Sequence, residues 1–204
     1  MSPSDRLEAE KLRAALGACL IGREIVVLAE TTSTNDVVAQ MAVDHAEGLV
    51  VIAEKQTTGR GQYGRRWESA AGKGLWLSVL LRPEIALADS GRITDFLARA
   101  IAATITEEIG VPATIKPPND VYLGKRKVAG VLVEMRVEAS GGYCAIAGLG
   151  LNVNQARDDF PPELRETAGS LALAAGHSLD SFALTVALLR RLDDDYGKAT
   201  LLSP

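Results

Sequence analysis

The sequence predicts one domain of the α/β or α+β class. Helical and extended patterns alternate along the 204 residues, as they do in domains built from layers of helices and strands. Apolar residues make up 47% of the chain and charged residues 24%, which is the balance of an ordinary globular protein. A chain of this length buries roughly 70% of its unfolded surface when it folds around a single core.

The first predicted elements are a helix and a short strand. Ser4 or Asp5 can accept hydrogen bonds from the free N–H groups that begin a helix. The helix extends to about residue 16, where Gly17 favours its end. The following run, residues 25–28, is apolar and predicts a strand.

A second helix, a buried strand and a long loop come next. Thr34 or Asn35 is expected to cap the helix, which carries apolar residues at helical spacing. The run 49–53 is rich in β-branched residues and predicts a buried strand. Residues 54–74 contain five glycines and five cationic residues and break both periodicities. Loops of this length inside a compact domain are usually functional or disordered.

Beyond this loop the patterns are regular again. Runs of β-branched and aliphatic residues predict strands, glycines mark turns and helix ends, and the leucine spacing near the C-terminus predicts a helix. The expected elements are a strand at 75–81, a helix at about 90–109 ended by Gly110, a strand at 114–116, strands at 126–137 and 143–153 joined by a turn of Ser140, Gly141 and Gly142, and helices over 155–204.

Composition argues against several classes of protein. The formal net charge of −4 argues against binding nucleic acid through a basic surface. Cys19 and Cys144 lie far apart and outside any CxxC pattern, so neither a disulfide scaffold nor a zinc site is expected. His45 and His177 are interpreted as surface residues rather than metal ligands. Because no signal peptide and no apolar run of about 20 residues is found, we expect a cytoplasmic protein.

The loop 54–74 carries the first chemical pattern. Residues 59–64, Gly-Arg-Gly-Gln-Tyr-Gly, formally match G-x-G-x-x-G, but that pattern binds dinucleotides only where it opens a helix, and the residues that follow are poor helix formers. We interpret the loop instead as an anion-binding segment. Glycines let the backbone approach a phosphate, Arg60, Arg65 and Arg66 supply charge, and Trp67 can stack on a ring. The alternative interpretation is a disordered, solvated basic loop.

Three later segments have similar features. In 116–120, Lys-Pro-Pro-Asn-Asp, two prolines enforce an extended entry to a polar pair, which can orient a ribose or a metal-bound phosphate or form an ordinary turn. Lys127 lies at the mouth of an apolar strand, where its ammonium can reach an anion. Gly130, Gly148 and Gly150 lie inside strands, where glycine permits close approach of a ligand or another backbone.

The order and spacing of these segments resemble the catalytic domain of biotin protein ligases. The similarity covers residues 25–154, and the pattern GRGxxGRxW in the loop is its most specific part. The resemblance implies a mixed β-sheet flanked by helices, related to the catalytic domains of class II tRNA synthetases. It also implies an enzyme that uses Mg²⁺ and ATP to convert biotin to biotinyl-5′-AMP. A lysine of a biotin carboxyl carrier protein then takes the biotinyl group.

The resemblance also implies a role for individual residues. Lys127 is expected to bridge the biotin carboxylate and the α-phosphate, with Arg60 and Arg65 as further catalytic residues and Asp120 as a ligand of Mg²⁺. The expected biotin-binding residues are Ser33, Thr34, Asn35, Gln56, Gly59, Arg60, Gly61, Lys127, Gly130, Gly148 and Gly150. The expected ATP-binding residues are Arg65, Arg66, Trp67, Lys116, Asn119, Asp120 and Asn152.

The sequence departs from the family pattern at several places. Pro117 replaces the usual tryptophan, and Gln62 stands where bacterial members often carry another arginine. About 25 residues precede the first strand, too few for a DNA-binding winged helix, and the chain ends where many relatives continue into an SH3-like domain. We therefore expect one catalytic domain over residues 1–204 that does not bind DNA. A homodimer remains possible, because relatives form dimers through sheet edges.

Two other functions are considered at this point. A lipoate or octanoate transferase of the same fold typically has a histidine after a glycine-rich stretch, and neither histidine of this chain follows such a stretch. A degenerate biotin-binding module would have no need of the phosphate-facing Arg65 and Lys127. Whichever function holds, we expect the loop to be mobile when empty, since its glycines and like charges favour disorder until an anion binds.

Overall fold

A computed structural model describes residues 7–139 and 141–198 and contains a seven-stranded sheet. The strand order is β1-β2-β3-β7-β6-β5-β4; β1 and β2 are parallel and the other neighbours antiparallel. The predicted mixed sheet is thereby confirmed. The strands are β1 (Glu24–Leu28), β2 (Leu49–Ala53), β3 (Gly74–Leu81), β4 (Ala113–Lys116), β5 (Asp120–Leu123), β6 (Arg126–Val137) and β7 (Tyr143–Asn152).

Helices cover the sheet on both faces. Apolar side chains of the first, third and fifth helices form one core with one face of the sheet, and the second helix forms a smaller core on the other face. Because both faces are covered, β2 and most of β3 are buried at consecutive positions. The helices are α1 (Ala9–Leu16), α2 (Thr34–Met41), α3 (Gly91–Ile109), α4 (Leu171–Ala175) and α5 (Ser181–Lys198).

The ends of the helices agree with the predictions more closely than their beginnings. Gly17 and Gly110 follow α1 and α3 with φ angles of 74° and 68°, which glycine adopts without strain. The predicted caps Ser4 and Asp5 lie outside the described residues. The cap of α2 is Ser33, not Thr34 or Asn35 as predicted.

The region after β7 is less helical than predicted. Residues 153–170 follow an irregular path with short 3₁₀ turns at Arg157–Asp159 and Pro162–Leu164, because consecutive prolines at 161 and 162 prevent a longer helix. The turn between β6 and β7 forms as predicted, with Gly141 at φ 87°; Ser140 lies outside the described residues. None of the described helices has the length and apolar composition required to cross a membrane.

A partly buried hydrogen bond joins the last helix to the segment before β2. Tyr196 is 3% exposed, and its hydroxyl donates to Glu47 Oε1 over 2.6 Å. The same carboxylate oxygen accepts the backbone N–H of Arg82 at 2.6 Å. Burial, followed by the proximity of the Glu47 carboxylate, raises the pKa of Tyr196 well above its ordinary value.

We predict that this tyrosine makes the fold sensitive to alkaline pH. In the unfolded chain a tyrosine ionises near pH 10, whereas folded Tyr196 stays protonated, so its contribution to stability is present below about pH 10 and is lost as the pH rises further. Tyr196→Phe should lower the free energy of unfolding by about 1.5–3 kcal/mol at pH 7 and flatten its decline above pH 10. Urea unfolding from pH 7 to 11 measures both effects, and parallel curves for the two proteins would contradict the prediction.

Candidate active site

A cavity of about 320 Å³ opens beside β5, β6 and β7. Its remaining walls come from the start of α2, from the loop 54–74 and from residues 160–168. Most of the residues that the sequence singled out lie on it. Those lining the cavity are Ser33, Thr34, Asn35, Gln56, Arg60, Gly61, Arg65, Arg66, Trp67, Asn119, Asp120, Lys127, Gly130, Gly148, Gly150 and Asn152.

Gly59 and Lys116 are not among the lining residues. Gly59 supports the loop instead: its carbonyl accepts the N–H of Trp67 at 2.9 Å, and a Cβ there would lie 2.7 Å from the Trp67 carbonyl oxygen. Lys116 is exposed on the edge strand β4, with its ammonium 5.7 Å from the ring centre of Tyr122. Lys116 pairs with Asp120 in the register of β4 and β5 without lining the cavity itself, and its role in ATP binding stays a prediction.

A buried polar cluster joins α2 to β3. Ser78 is fully buried, and its Oγ lies 2.5 Å from Asn35 Oδ1 and 2.7 Å from Thr34 Oγ1. Since Asn35 Oδ1 can only accept and a serine has one hydroxyl proton, Ser78 must donate to Asn35. The Thr34 hydroxyl lies between Ser78 Oγ and Gln56 Oε1, 3.1 Å away, and donates to one of these two oxygens. The hydroxyl proton of Thr34 is then used inside the cluster, which leaves its oxygen free to accept a hydrogen bond.

Gln56 is fixed against the same cluster. Its Oε1 accepts the backbone N–H of Thr34 at 2.8 Å, so its side-chain N–H groups must point elsewhere. The partner of Nε2 is Ser69 Oγ at 3.5 Å, a long and weak contact. The cavity therefore offers a free acceptor on Thr34 and a nearly free donor on Gln56.

Glycines on β6 and β7 provide the space for the side chains around the cavity. A Cβ on Gly148 would lie 2.3 Å from Asn35 Oδ1, and one on Gly150 would lie 2.6 Å from Trp67 Cε2. A Cβ on Gly130 would lie 3.1 Å from Trp67 Cζ3. The close approach predicted from these strand glycines is made by the protein's own side chains, Asn35 and Trp67.

Lys127 lies between an acidic and an aromatic side chain. Its Nζ is 2.6 Å from Asp120 Oδ1 and 5.3 Å from the centre of the Trp67 ring. That carboxylate oxygen is buried, yet the ammonium approaches it outside normal hydrogen-bond geometry. The backbone of Lys127 is fixed independently, since its N–H donates to Thr167 at 2.8 Å and its carbonyl accepts from Gly169 at 2.9 Å.

Two carboxylates hold the loop against the cavity through one arginine. Arg60 donates to both oxygens of Asp36 at 2.8 and 2.9 Å, and to Glu134 at 3.2 Å. The hydrogen bond from Arg60 lowers the pKa of Asp36, and the same bond raises the pKa of Arg60. Arg60 is thereby engaged, whereas Arg65 is exposed.

Sequence reasoning missed three parts of this site. Asp36 and Glu134 carry no motif, although a carboxylate at the end of the apolar run 131–133 was a detectable signal. The third part is the wall formed by residues 160–168, which has no recognisable pattern. An ion pair holds the start of this wall against the loop, because Lys73 Nζ lies 2.6 Å from both oxygens of Asp159, the residue before the wall.

Comparison with known proteins identifies the family. Residues 27–152 match the model of the biotin/lipoate A/B protein ligase family. The chain belongs to this family. It is 38% identical over 176 residues to the bifunctional ligase/repressor BirA of Bacillus subtilis, covering 86% of this chain and 54% of that protein. It is 34% identical to the biotin–[acetyl-CoA-carboxylase] ligase of Mycobacterium tuberculosis, covering 80% of this chain and 64% of that protein. The chain thus spans between about half and two thirds of these relatives.

Solved structures of the family confirm the fold. A biotin protein ligase from Aquifex aeolicus in complex with biotin and ATP superposes with a TM-score of 0.73 at 28% identity, covering 86% of this chain and 71% of that one. A bipartite lipoate protein ligase from Thermoplasma acidophilum, 14% identical, has a TM-score of 0.59 over 85% of this chain and 84% of that one. The second likeness concerns the fold alone. The family and the fold predicted from the sequence are both confirmed.

The contact between Gly150 and Trp67 leads to a prediction. Gly150→Ala should displace the Trp67 ring into water, shift tryptophan emission to longer wavelength and lower the free energy of unfolding by about 1–3 kcal/mol. Gly91→Ala is the matched control, because a Cβ at Gly91 meets nothing within 4 Å. Fluorescence spectra and urea unfolding measure both effects. An unchanged spectrum and stability in Gly150→Ala would show that the ring is not held against this strand.

Proposed function

We propose that the protein is an ATP-dependent biotin protein ligase. It forms biotinyl-5′-AMP from biotin and ATP and then transfers the biotinyl group to a lysine of a biotin carboxyl carrier protein. One observation carries the proposal: a single cavity combines a buried polar cluster, suited to a ureido ring, with a lysine and a basic loop suited to phosphates. The relative and the solved structure that are named as biotin ligases support the same function.

The polar cluster matches the head group of biotin. A ureido ring presents two N–H donors and one carbonyl acceptor. The free oxygen of Thr34 accepts from a ureido N–H, and Gln56 Nε2 donates to the ureido oxygen. Ser33, 4% exposed on the same wall, adds a further hydroxyl.

The same cluster argues against lipoate or octanoate. Neither ligand carries a hydrogen-bonding group at the end remote from its carboxylate. Its binding would therefore leave Thr34, Gln56 and Ser33 without ligand partners. Unpaired buried polar groups cost about 1–3 kcal/mol each, and a site built around hydrogen bonds discriminates strongly on this basis.

The first reaction step is an in-line substitution at phosphorus. A biotin carboxylate oxygen forms a bond to the α-phosphorus of ATP, the bond from that phosphorus to the bridging oxygen breaks, and pyrophosphate leaves. The step requires two anions to approach each other, so positioning and charge neutralisation dominate catalysis. Lys127 supplies the neutralising charge at the carboxylate and α-phosphate, and the exposed Arg65 reaches the departing phosphates.

The second step is an acyl transfer. The neutral amine of the carrier lysine attacks the biotinyl carbonyl carbon, an amide bond forms, and the bond to the phosphate oxygen breaks to release AMP. The proton that the amine loses as the amide forms passes to water or to the phosphate of the departing AMP. Because the mixed anhydride is already activated, the protein needs only to hold it and admit the lysine.

The nucleotide is expected against the wall of residues 160–168. Trp67 offers its ring for stacking, and Phe160 and Leu164 supply apolar surface. Asn152 is oriented beforehand: its amide donates to the Gly169 carbonyl at 2.9 Å and accepts from Gln155 at 3.1 Å. Asn119 also lines the cavity, and its amide donates to the Val131 carbonyl at 3.0 Å, which holds the turn before β5.

The residues present fit Mg²⁺ held mainly by the nucleotide. Within residues 7–139 and 141–198 there is no cluster of three acidic, cysteine or histidine side chains that could hold a metal ion by itself. Mg²⁺ commonly takes one or two carboxylates and completes its coordination with phosphates and water. Asp120 fits that requirement, because its buried Oδ1 accepts no regular hydrogen bond. When bound, Mg²⁺ supplies further neutralisation of the phosphate charge.

A carrier-modification assay tests the proposal. The protein is incubated with Mg-ATP, a biotin carrier domain, and either biotin or lipoate, and the carrier is weighed by mass spectrometry. We expect the carrier to gain one biotinyl group and no lipoyl group. Modification with lipoate alone would overturn the proposal, and biotin binding without any transfer would identify a non-catalytic module.

The role of Lys127 is tested separately. Lys127→Ala should retain the fold and lower the rate of biotin-dependent pyrophosphate release by at least about 100-fold, as loss of one preorganised charge does in comparable sites. Lys125→Ala, which removes an exposed neighbouring lysine, is the control and should react like the unmodified protein. Normal pyrophosphate release by Lys127→Ala would remove Lys127 from the mechanism.

A further inference from the structure

Glu134 binds two parts of the site with one oxygen. Its Oε2 accepts from Asn35 Nδ2 at 2.6 Å and from Arg60 Nη2 at 3.2 Å. Asn35 belongs to the buried cluster behind the cavity, whereas Arg60 belongs to the loop that closes over it. Glu134 itself lies on β6, inside the rigid sheet. A single carboxylate therefore connects the interior of the cavity to its cover.

The Asn35 side chain cannot turn away from Glu134 at low cost. It is 4% exposed, its Oδ1 is bound to Ser78, and it fills the space above Gly148. These contacts set the direction in which Asn35 Nδ2 points, and Glu134 Oε2 is the acceptor of its N–H group. Without that acceptor Asn35 would keep a buried N–H unpaired, which favours a different side-chain position.

Arg60 is shared between two carboxylates. Its Nη2 lies 2.8 Å from Asp36 Oδ1 and 3.2 Å from Glu134 Oε2, so both negative charges adjoin the same nitrogen. When the loop opens and Arg60 leaves, the two carboxylates lose the guanidinium that adjoins both of them, and Arg136, 3.8 Å from Glu134 Oε1, is the cation that remains near. Their repulsion displaces Glu134 and, through it, Asn35. Closure of the loop and order in the cluster are thus favoured together.

We propose that Glu134 is a positioning residue that couples closure of the loop 54–74 to the buried amide of Asn35. This inference rests on the proposed biotin-binding function and adds to it. A ureido ring that orders the cluster around Asn35 fixes Glu134, and the fixed carboxylate holds Arg60 and the loop over the bound ligand. Glu134 touches neither the reacting carboxylate nor the phosphates in this account, so it acts through Asn35 and Arg60.

The first experiment compares Glu134→Gln with Glu138→Gln. Glu138 forms a comparable pair with Arg82 at 2.8 Å, beyond the end of β6, so its variant loses an ion pair without changing the site. Biotin affinity is measured by calorimetry. Access to the loop is measured by tryptic cleavage after Arg60, Arg65 and Arg66, with and without saturating biotin.

We expect biotin to protect the loop in the unmodified protein and in Glu138→Gln. In Glu134→Gln, affinity for biotin should fall roughly 10- to 100-fold, and saturating biotin should no longer protect the loop. The KM for biotin should rise while the KM for ATP stays unchanged. Normal protection in Glu134→Gln would overturn the coupling. Failure of the unmodified protein to bind biotin would instead overturn the proposed function on which the inference rests.

A double-substitution cycle tests the coupling without relying on the Glu134 variant alone. Asn35→Ala and Arg60→Ala are made singly and together, and biotin affinity is measured for each. Because both residues act through Glu134, the fold-loss of biotin affinity in the double variant should be smaller than the product of the fold-losses in the two single variants. When the same substitutions are made in Glu134→Gln, the fold-loss of the double variant should equal that product. If it already equals the product in the protein with Glu134 intact, the proposal is overturned.

Discussion

The register of β3, β7 and β6 places small and polar residues side by side where the cavity forms. Gly148 pairs with Ser78 on one side and Leu132 on the other, and Gly150 pairs with Trp76 and Gly130. These positions share one face of the sheet, because residues two apart along a strand point the same way. The missing side chains at three glycines admit Asn35 and Trp67, and α2 covers the same face further along. A one-residue slip of β7 would fill this space with leucines.

Charge in the cavity is balanced by ion pairs. Arg60 contacts Asp36 and Glu134, and Lys127 contacts Asp120. An acidic chain with a net charge of −4 thereby keeps cations at the cavity without gathering unopposed positive charge. The Arg60 pairs involve side chains that are 26–37% exposed and contribute only about 0–1 kcal/mol each. The Lys127–Asp120 pair is less exposed, and removal of the ammonium would leave the Asp120 carboxylate unpaired.

Local sequence signals predicted the loop and six of the seven strands, all but β5, while the contacts that complete the site depend on pairing between distant segments. The β-branched run of β2 and the glycines after α1 and α3 act within a few residues, so these elements were predictable. Glu134 gains its role only when β6 lies beside Asn35, 99 positions away. Lys116 shows the same limit: its pairing with Asp120 and its exposed position on the edge strand β4 follow from the turn at 117–119, which has no unique local signal. Thr34 and Asn35 look like caps, yet their side chains are bound to Ser78 in a strand far along the chain.

The energetics of the loop show why a buried polar cluster and a glycine-rich loop occur in one site. The tip of the loop carries Tyr63 at φ 58°, a left-handed conformation that costs a non-glycine residue about 1–2 kcal/mol. The pairs from Arg60, itself 37% exposed, return about 0–1 kcal/mol each. The two terms nearly cancel, so the ion pairs alone do not decide between a closed and an open loop. Hydrogen bonds formed inside the cavity then decide it, because a buried bond to a polar ligand contributes on the same scale. Under the proposed function, closure is thus governed by a ligand that bonds to Thr34, Gln56 and Ser33, and a ligand without a polar head group would favour neither the closed nor the open loop.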